Sequence, residues 1–582
     1  MTTRTYPEFS TNYPLLLTTF MKRPVRYYPD QIGVVYRNHI TGDYLRFTWR
    51  EWYRRVCQLA HALAGELKIQ PGKPGQLGDR VGTMAYNTHR HLELYYAAPC
   101  IGATLHPINI RLSDDHIVHT INHAQDSVIF VDDVVLPLLE RVFDRIKDTV
   151  KHFVYMSDKP GLPDSKIPNL IEYEELIAAQ PSTFEWPYLH EDTNATLCYT
   201  TGTTGQPKGA TFTHRQLYLM ILHAMARQSI VNTPAFSEAD RLGENAVPML
   251  NTPLFHIHGW GSPFSTVFSA QKVVLHGTFT VRGFCELVER EKVTSVGIVP
   301  TIAAMLLEFK DFDKYDLSSL TSVGVGGGAL PLGLKTKLEK LLPHFRVGSG
   351  YGMTETAPVA IGAFVKKHMV NWPKEAIDQV MVKTGLPALG LEVEVVDAEG
   401  RPVPWDDQTI GEIVMRGPWI MKEYYQAPES TAQVWYDGWF HSGDLAKVDA
   451  EGFITIADRL KDVIRSGSEM VPTVLLENLI AKADFVLEAT VVGVPDPVWG
   501  EKPMAIVSLR PGMQASEDDI IQFLDEHGVQ TGQITKWMMP KLVAIVDEIP
   551  KTSVGKFSKK TIRDSLERFL PIAKDTTHYQ PA

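Results

Sequence analysis

Along residues 48–66 apolar side chains return every three or four positions: Trp49, Trp52, Val56, Leu59 and Leu63, with Leu67 just beyond. That spacing is the period of an amphipathic helix. Residues 80–85 then predict a short strand, and residues 91–101 a second helix. Further strands are expected at 127–131 (SVIFV), 152–156 (HFVYM) and 294–299 (TSVGIV), each close to a helical stretch. Short apolar strands alternating with helices are the pattern of α/β layers with substantial parallel sheet.

Near Ile410 the texture changes. Residues 411–417 and 453–456 read as antiparallel strands around a tight Asp449-Ala450-Glu451-Gly452 turn. The charged run Asp458-Arg459-Leu460-Lys461-Asp462 follows and reads as an exposed linker. Beyond it lie about 120 residues with their own strand–helix pattern, including 488–494 and 504–509, enough for a small domain. The expected organisation is α/β. A large domain (1–458) combines layered α/β sheets with an antiparallel β subdomain, and a small α+β domain (459–582) follows.

Composition narrows the function. With 582 residues, 44% apolar and 21% charged, the chain supports several structural units with large cores. Lys+Arg number 57 against 68 Asp+Glu, a net charge of −11 with no long basic block, which argues against a nucleic-acid partner. Cys57, Cys100, Cys198 and Cys285 are scattered without CxxC spacing, so neither a disulfide scaffold nor a zinc cluster is expected. The first residues lack a secretory pattern, and no uninterrupted apolar run is long enough to span a membrane. The last five residues form no peroxisomal or retention signal. The expectation is a cytoplasmic protein.

The sharpest chemistry lies in Tyr199-Thr200-Thr201-Gly202-Thr203-Thr204-Gly205-Gln206-Pro207-Lys208-Gly209. Its glycines let backbone fold closely around an anion, its threonine hydroxyls and N–H groups can donate to phosphate oxygens, and Lys208 adds a full positive charge. It is not a Walker A loop, because no Gly-Lys-Ser/Thr ends it at the required spacing.

This loop resembles the signature of the adenylate-forming superfamily of acyl-CoA synthetases, peptide-synthetase adenylation domains and luciferases. Other segments extend the resemblance in order along the chain: Gly326-Gly327-Gly328-Ala329-Leu330-Pro331, Tyr351-Gly352-Met353-Thr354-Glu355-Thr356, Trp439-Phe440-His441-Ser442-Gly443-Asp444, Asp458–Asp462, and Pro550-Lys551-Thr552-Ser553-Val554-Gly555-Lys556. Asn87-Thr88-His89-Arg90-His91-Leu92-Glu93-Leu94-Tyr95 and Arg111-Leu112-Ser113 are similar to the bacterial medium- and long-chain fatty acyl-CoA synthetases. The resemblance covers nearly the whole chain.

It implies roles residue by residue. Thr200, Thr201, Gly202, Thr203, Thr204, Gly205 and Lys208 would hold the β- and γ-phosphates of ATP, and Gly327, Gly328 and Ala329 would let adenine approach the backbone. Tyr351 would lie against adenine with Ser349, Gly350, Gly352 and Met353 around it. Thr354 would contact the α-phosphate, and Glu355, with Thr200, would hold Mg²⁺. Asp444 would accept the ribose hydroxyls beside Arg459, Lys461 would be the pivot of a mobile small domain, and Lys556 would bridge carboxylate and α-phosphate. Arg465 and Gly467 would lie by the CoA channel.

His256, Ile257 and Trp260 would line the acid pocket. An amino acid is disfavoured, because His256 stands where amino-acid-activating relatives carry an Asp. The implied reaction is attack of a carboxylate on the α-phosphorus of ATP, followed by displacement of AMP by CoA. A fatty acid is the first expectation; an aryl or short branched acid is the alternative. So is a non-CoA acceptor, because Arg465–Thr473 departs from the usual family sequence. Relatives are often homodimers.

Overall fold

The computed structural model describes residues 13–200, 206–230, 246–342, 346–466, 469–551 and 557–577. Four sheets organise the described residues. The first runs Ile171–Glu172, His152–Met156, Asp126–Asp132, Arg80–Met84, Thr104–Pro107, Asn194–Tyr199, Gly209–Thr213, and is parallel except at its last pair. The second has Ile32–Arg37, Val273–Leu275, Pro248–Met249, Ser295–Ile298, Ser322–Val325 and Arg346–Tyr351 as its parallel centre, with antiparallel strands at both edges. The expected parallel α/β layers are present, and the expected strands at 80–85, 127–131, 152–156 and 294–299 each lie within one residue of an observed end.

The helix expected from residue 48 is Trp49–His61, and it starts there because Thr48 and Glu51 form a reciprocal capping box. Such a cap contributes about 1 kcal/mol. Residues Ala62–Glu66 continue it as one wider turn. The next helix, His89–Cys100, is buried at every position and packs between the first and second sheets. Three of its polar side chains are matched: Arg90 meets Glu174 and Asp158, Glu93 meets Arg55 and Tyr173, and His91 meets Thr83 and the Tyr86 carbonyl. Burial is tolerated where a polar group keeps a partner; His89 Nδ1 is buried without one.

The third sheet is antiparallel and differs from the expectation in one respect. Gly411–Arg416 and Ile454–Arg459 do not pair with each other; Trp439–Val448 lies between them and pairs with both. The fourth sheet starts with Ile464–Ser466 and draws only on later strands, including the long hairpin Val486–Asp496 and Gly500–Leu509. A second correction concerns the linker. Asp458 is not exposed: it is 1% accessible and accepts bonds from the Thr473 backbone and hydroxyl. It caps the helix Thr473–Ile480 across the junction.

The four cysteines are free and buried. Among the described residues, no helix is long and apolar enough to cross a membrane.

Candidate active site

The site forms where strand ends of the second sheet face the third sheet and the last segment of the chain. A cavity of about 1360 Å³ opens there. Its walls bring together Thr200 and Lys208, the glycine turn Gly327-Gly328-Ala329, residues 349–355, Asp444, Arg459 and Lys461, and His256, Ile257 and Trp260. Segments up to about 360 residues apart in sequence thus meet in one space. Thr201–Gly205, Gly467 and Lys556 lie outside the described residues; Phe557, which follows Lys556, lines the cavity. Arg465 does not line it. It sits exposed on the strand Ile464–Ser466, where its backbone N–H donates to Glu501 at 2.9 Å.

The stems of the phosphate-type loop are closed by two bonds. Thr200 N–H donates to the Lys208 carbonyl at 2.9 Å, and Lys208 N–H to Thr200 Oγ1 at 3.1 Å. Behind the loop, His119 Nε2 is 3.2 Å from the Pro207 carbonyl and His123 Nδ1 is 2.7 Å from the Tyr199 hydroxyl. The loop therefore springs from a fixed frame. Lys208 Nζ stands 5.1 Å above the Tyr424 ring, a cation–π distance.

Tyr424 also donates its hydroxyl to Glu355 Oε1 at 2.6 Å. Burial pushes the Glu355 carboxyl above its ordinary range, and the Tyr424 bond opposes that rise. A desolvated carboxylate beside a donor-rich loop suits a hard divalent cation. Among the described residues, no group of three His, Cys, Asp or Glu could hold a metal by itself. An ion at Glu355 and Thr200 would therefore complete its shell with phosphate oxygens and water, as Mg²⁺ usually does.

On the opposite wall, Asp444 accepts from the Tyr351 hydroxyl at 2.6 Å, and Arg459 Nε lies 3.2 Å from its other oxygen. The Asp444 carboxylate holds Arg459 above its usual range. Tyr351 is thereby fixed in orientation, with its ring edge tied to the residue expected at the ribose. Gly352 permits this turn: a Cβ there would come within 1.4 Å of the Pro358 carbonyl oxygen.

The other lobe is shaped by missing side chains. Gly297, Gly324 and Gly348 stand side by side on three neighbouring parallel strands. A Cβ on Gly324 would meet nothing within 4 Å, so the sheet face is bare there. Trp260 lies over one end of this slot, where a Cβ on Gly326 would approach its ring to 2.8 Å.

Tyr424, His119 and His123 were not anticipated from sequence. None belongs to a local pattern of glycines, hydroxyls and charge, and only the fold brings them to the loop. Lys559 is another. It pairs with Glu477 at 2.8 Å, and both line the cavity.

The comparisons with known proteins agree with this geometry. Residues 21–425 match the AMP-binding enzyme family, and residues 475–556 match the AMP-binding enzyme C-terminal domain. A long-chain-fatty-acid–CoA ligase of Thermus thermophilus is 37% identical over 566 residues, covering 97% of this chain and 98% of that protein. A 3-methylmercaptopropionyl-CoA ligase of Ruegeria lacuscaerulensis is 34% identical, covering 96% and 98%. Among solved structures, an anthranilate CoA ligase in complex with anthranoyl-AMP superposes with a TM-score of 0.79 at 24% identity, over 96% of this chain and 98% of that one. With both family matches in chain order and relatives aligned nearly end to end, the chain belongs to the AMP-binding enzyme family.

Proposed function

We propose that this protein is an AMP-forming acid–CoA ligase that activates a fatty acid through an acyl-adenylate. One observation carries the reading: a single cavity joins a nucleotide-type wall (Lys208, Glu355, Tyr351, Asp444) to a slot floored by glycines. A triphosphate and an extended acid can therefore meet end to end.

In this mechanism the loop donors and Lys208 bind the β- and γ-phosphates, Asp444 and Arg459 orient the ribose, and Tyr351 packs against adenine. Mg²⁺, when bound, neutralises phosphate charge. Thr354 and Lys556 stabilise the charge shared between the attacking carboxylate and the α-phosphate. His256 and Trp260 orient the carboxylate end of the acid, and the slot over Gly297, Gly324 and Gly348 takes its tail. Pyrophosphate leaves, and a thiolate then attacks the acyl carbon and releases AMP. Residues 459–582 act as a separate domain carrying Lys556, hinged at Lys461. Arg465 lies outside the cavity in this arrangement, so its role at CoA requires the small domain to turn.

The relatives named for long-chain fatty acids and for 3-methylmercaptopropionate support acid–CoA ligation, and they differ in acid size. The test is pyrophosphate release with ATP-Mg²⁺ across acids from acetate to palmitate, each with and without CoA. Continuous release that peaks with fatty acids and needs CoA is the expected result. Release indifferent to CoA would point to another acceptor, and release only with aryl or short branched acids would displace the fatty acid.

A further inference from the structure

Among the described residues, the turn that presents Trp260 carries a run of five consecutive positive-φ positions. Ile257, His258, Gly259, Trp260 and Gly261 all have positive φ, at 25°, 52°, 49°, 59° and 78°. For side-chain-bearing residues a left-handed conformation costs about 1–2 kcal/mol each, so a run of this kind persists only where its surroundings enforce it.

Within the turn His258 Nε2 lies 2.7 Å from Thr196 Oγ1; the groups that pin the backbone on either side of it come from the Asn87–Tyr96 stretch, which the nucleotide chemistry does not use. Asn87 Nδ2 donates to the Leu250 carbonyl at 2.7 Å and to the Thr252 carbonyl at 2.9 Å, while its Oδ1 accepts from Leu254 N–H at 2.9 Å. Tyr95 donates its hydroxyl to the Leu254 carbonyl, and Tyr96 donates to the Pro263 carbonyl at 3.0 Å. The segment is thus pinned before and after the turn. Asn87 is itself fixed, because its carbonyl accepts from Gly277 N–H at 3.1 Å. All three side chains are buried, and none of them lines the cavity.

We propose that Asn87 and Tyr95 are positioning residues for acid selection: they hold residues 250–263 so that Trp260 stands over Gly297 and Gly326 at the mouth of the slot. This rests on the reading of His256, Ile257 and Trp260 as the acid side of the site. The bonds reach backbone on the acid side alone; none touches the loop stems, Glu355 or Asp444. Loosening them therefore changes acid recognition and leaves nucleotide recognition in place.

The test compares Tyr95→Phe, which removes one oxygen, and Asn87→Asp, which replaces two donors by a repelling oxygen, with the wild-type protein. Kinetics are measured across the acid series, and amide hydrogen exchange is followed at residues 250–263 and 346–356. The expected result is a KM for the preferred acid raised roughly tenfold, a flattened acid profile, and an ATP KM within about twofold. Exchange should quicken at 250–263 and stay unchanged at 346–356. Acid and ATP parameters moving together, or unchanged exchange at 250–263 in both variants, would overturn the proposal. If the wild-type protein turns over no acid, the functional reading falls, and the exchange contrast still decides whether Asn87 and Tyr95 hold the turn.

Discussion

Glu355 is 6% exposed, with Tyr424 donating to one oxygen and Lys208 standing over the Tyr424 ring. Burial raises the Glu355 carboxyl, whereas a bond from a hydroxyl favours the charged form and lowers it. Tyr424→Phe removes the lowering influence alone. If Glu355 acts ionised, as the proposed function has it, the acid limb of the pH–rate profile should move to higher pH, with the rate at alkaline pH falling less. An acid limb that stays in place or moves down would show that Glu355 is not the group titrating there. At this scale the sequence was informative wherever chemistry is local: the Gly/Thr/Lys loop, 351–356 and Asp444 each announce themselves by residue type and spacing, and the structure brings their described members to one cavity. Tyr424 could not be read this way. It lies about 70 residues from Glu355, and nothing in its own neighbourhood marks it. Arg465 is the converse case: its motif is legible, but it lies outside the cavity, whose wall there is set by how the last segment sits.

Elements hold the site through buried histidines kept neutral. His214 heads the helix His214–Ile230, where Leu17 N–H donates to its Nδ1 at 3.2 Å and its Nε2 faces the Pro99 carbonyl at 3.1 Å. That pairing requires a neutral ring with its proton on Nε2. Burial pushes His214 down to about 4, His91 and His276 also to about 4, and His258 to about 3. The sign follows directly. Below about 6.5 the unfolded chain takes up protons at these positions while the folded one does not until about 4, so stability is lost as pH falls through that window. Thermal denaturation from pH 7.5 to 4.5 should show Tm dropping below pH 6.5, and His214→Gln should flatten the slope by about one proton. A slope unchanged in the variant would remove His214 from the account. Periodicity located the helix at 49–61 and the strand His152–Met156 because their buried faces repeat regularly. It missed Trp439–Val448, whose polar His441, Ser442, Gly443 and Asp444 break the alternation because they face the cavity. Asp458 looked like surface charge for a similar reason: composition cannot show that a carboxylate caps a helix 15 residues on.

The whole molecule reads as two bodies sharing one cavity. The last sheet meets the rest through the Asp458–Thr473 cap and an exposed Lys337–Asp484 pair at 3.6 Å. Exposed pairs of the last kind contribute about 0–1 kcal/mol, so the arrangement leans on the buried cap. The fold class was visible in advance because alternating strands and helices leave few architectures. The glycine-floored slot was not, because it depends on Gly297, Gly324 and Gly348 lining up across three strands that the sequence separates.

The central claim is that a carboxylate oxygen of the acid attacks the α-phosphorus of ATP. It is tested most directly by turning over an acid labelled with ¹⁸O in its carboxylate, in the presence of CoA, and weighing the AMP released. When the thiolate attacks the acyl carbon, the carbon–oxygen bond to phosphate breaks and the labelled oxygen stays on phosphorus. AMP should carry one ¹⁸O per thioester formed. Unlabelled AMP, or ADP and phosphate as the products, would contradict it.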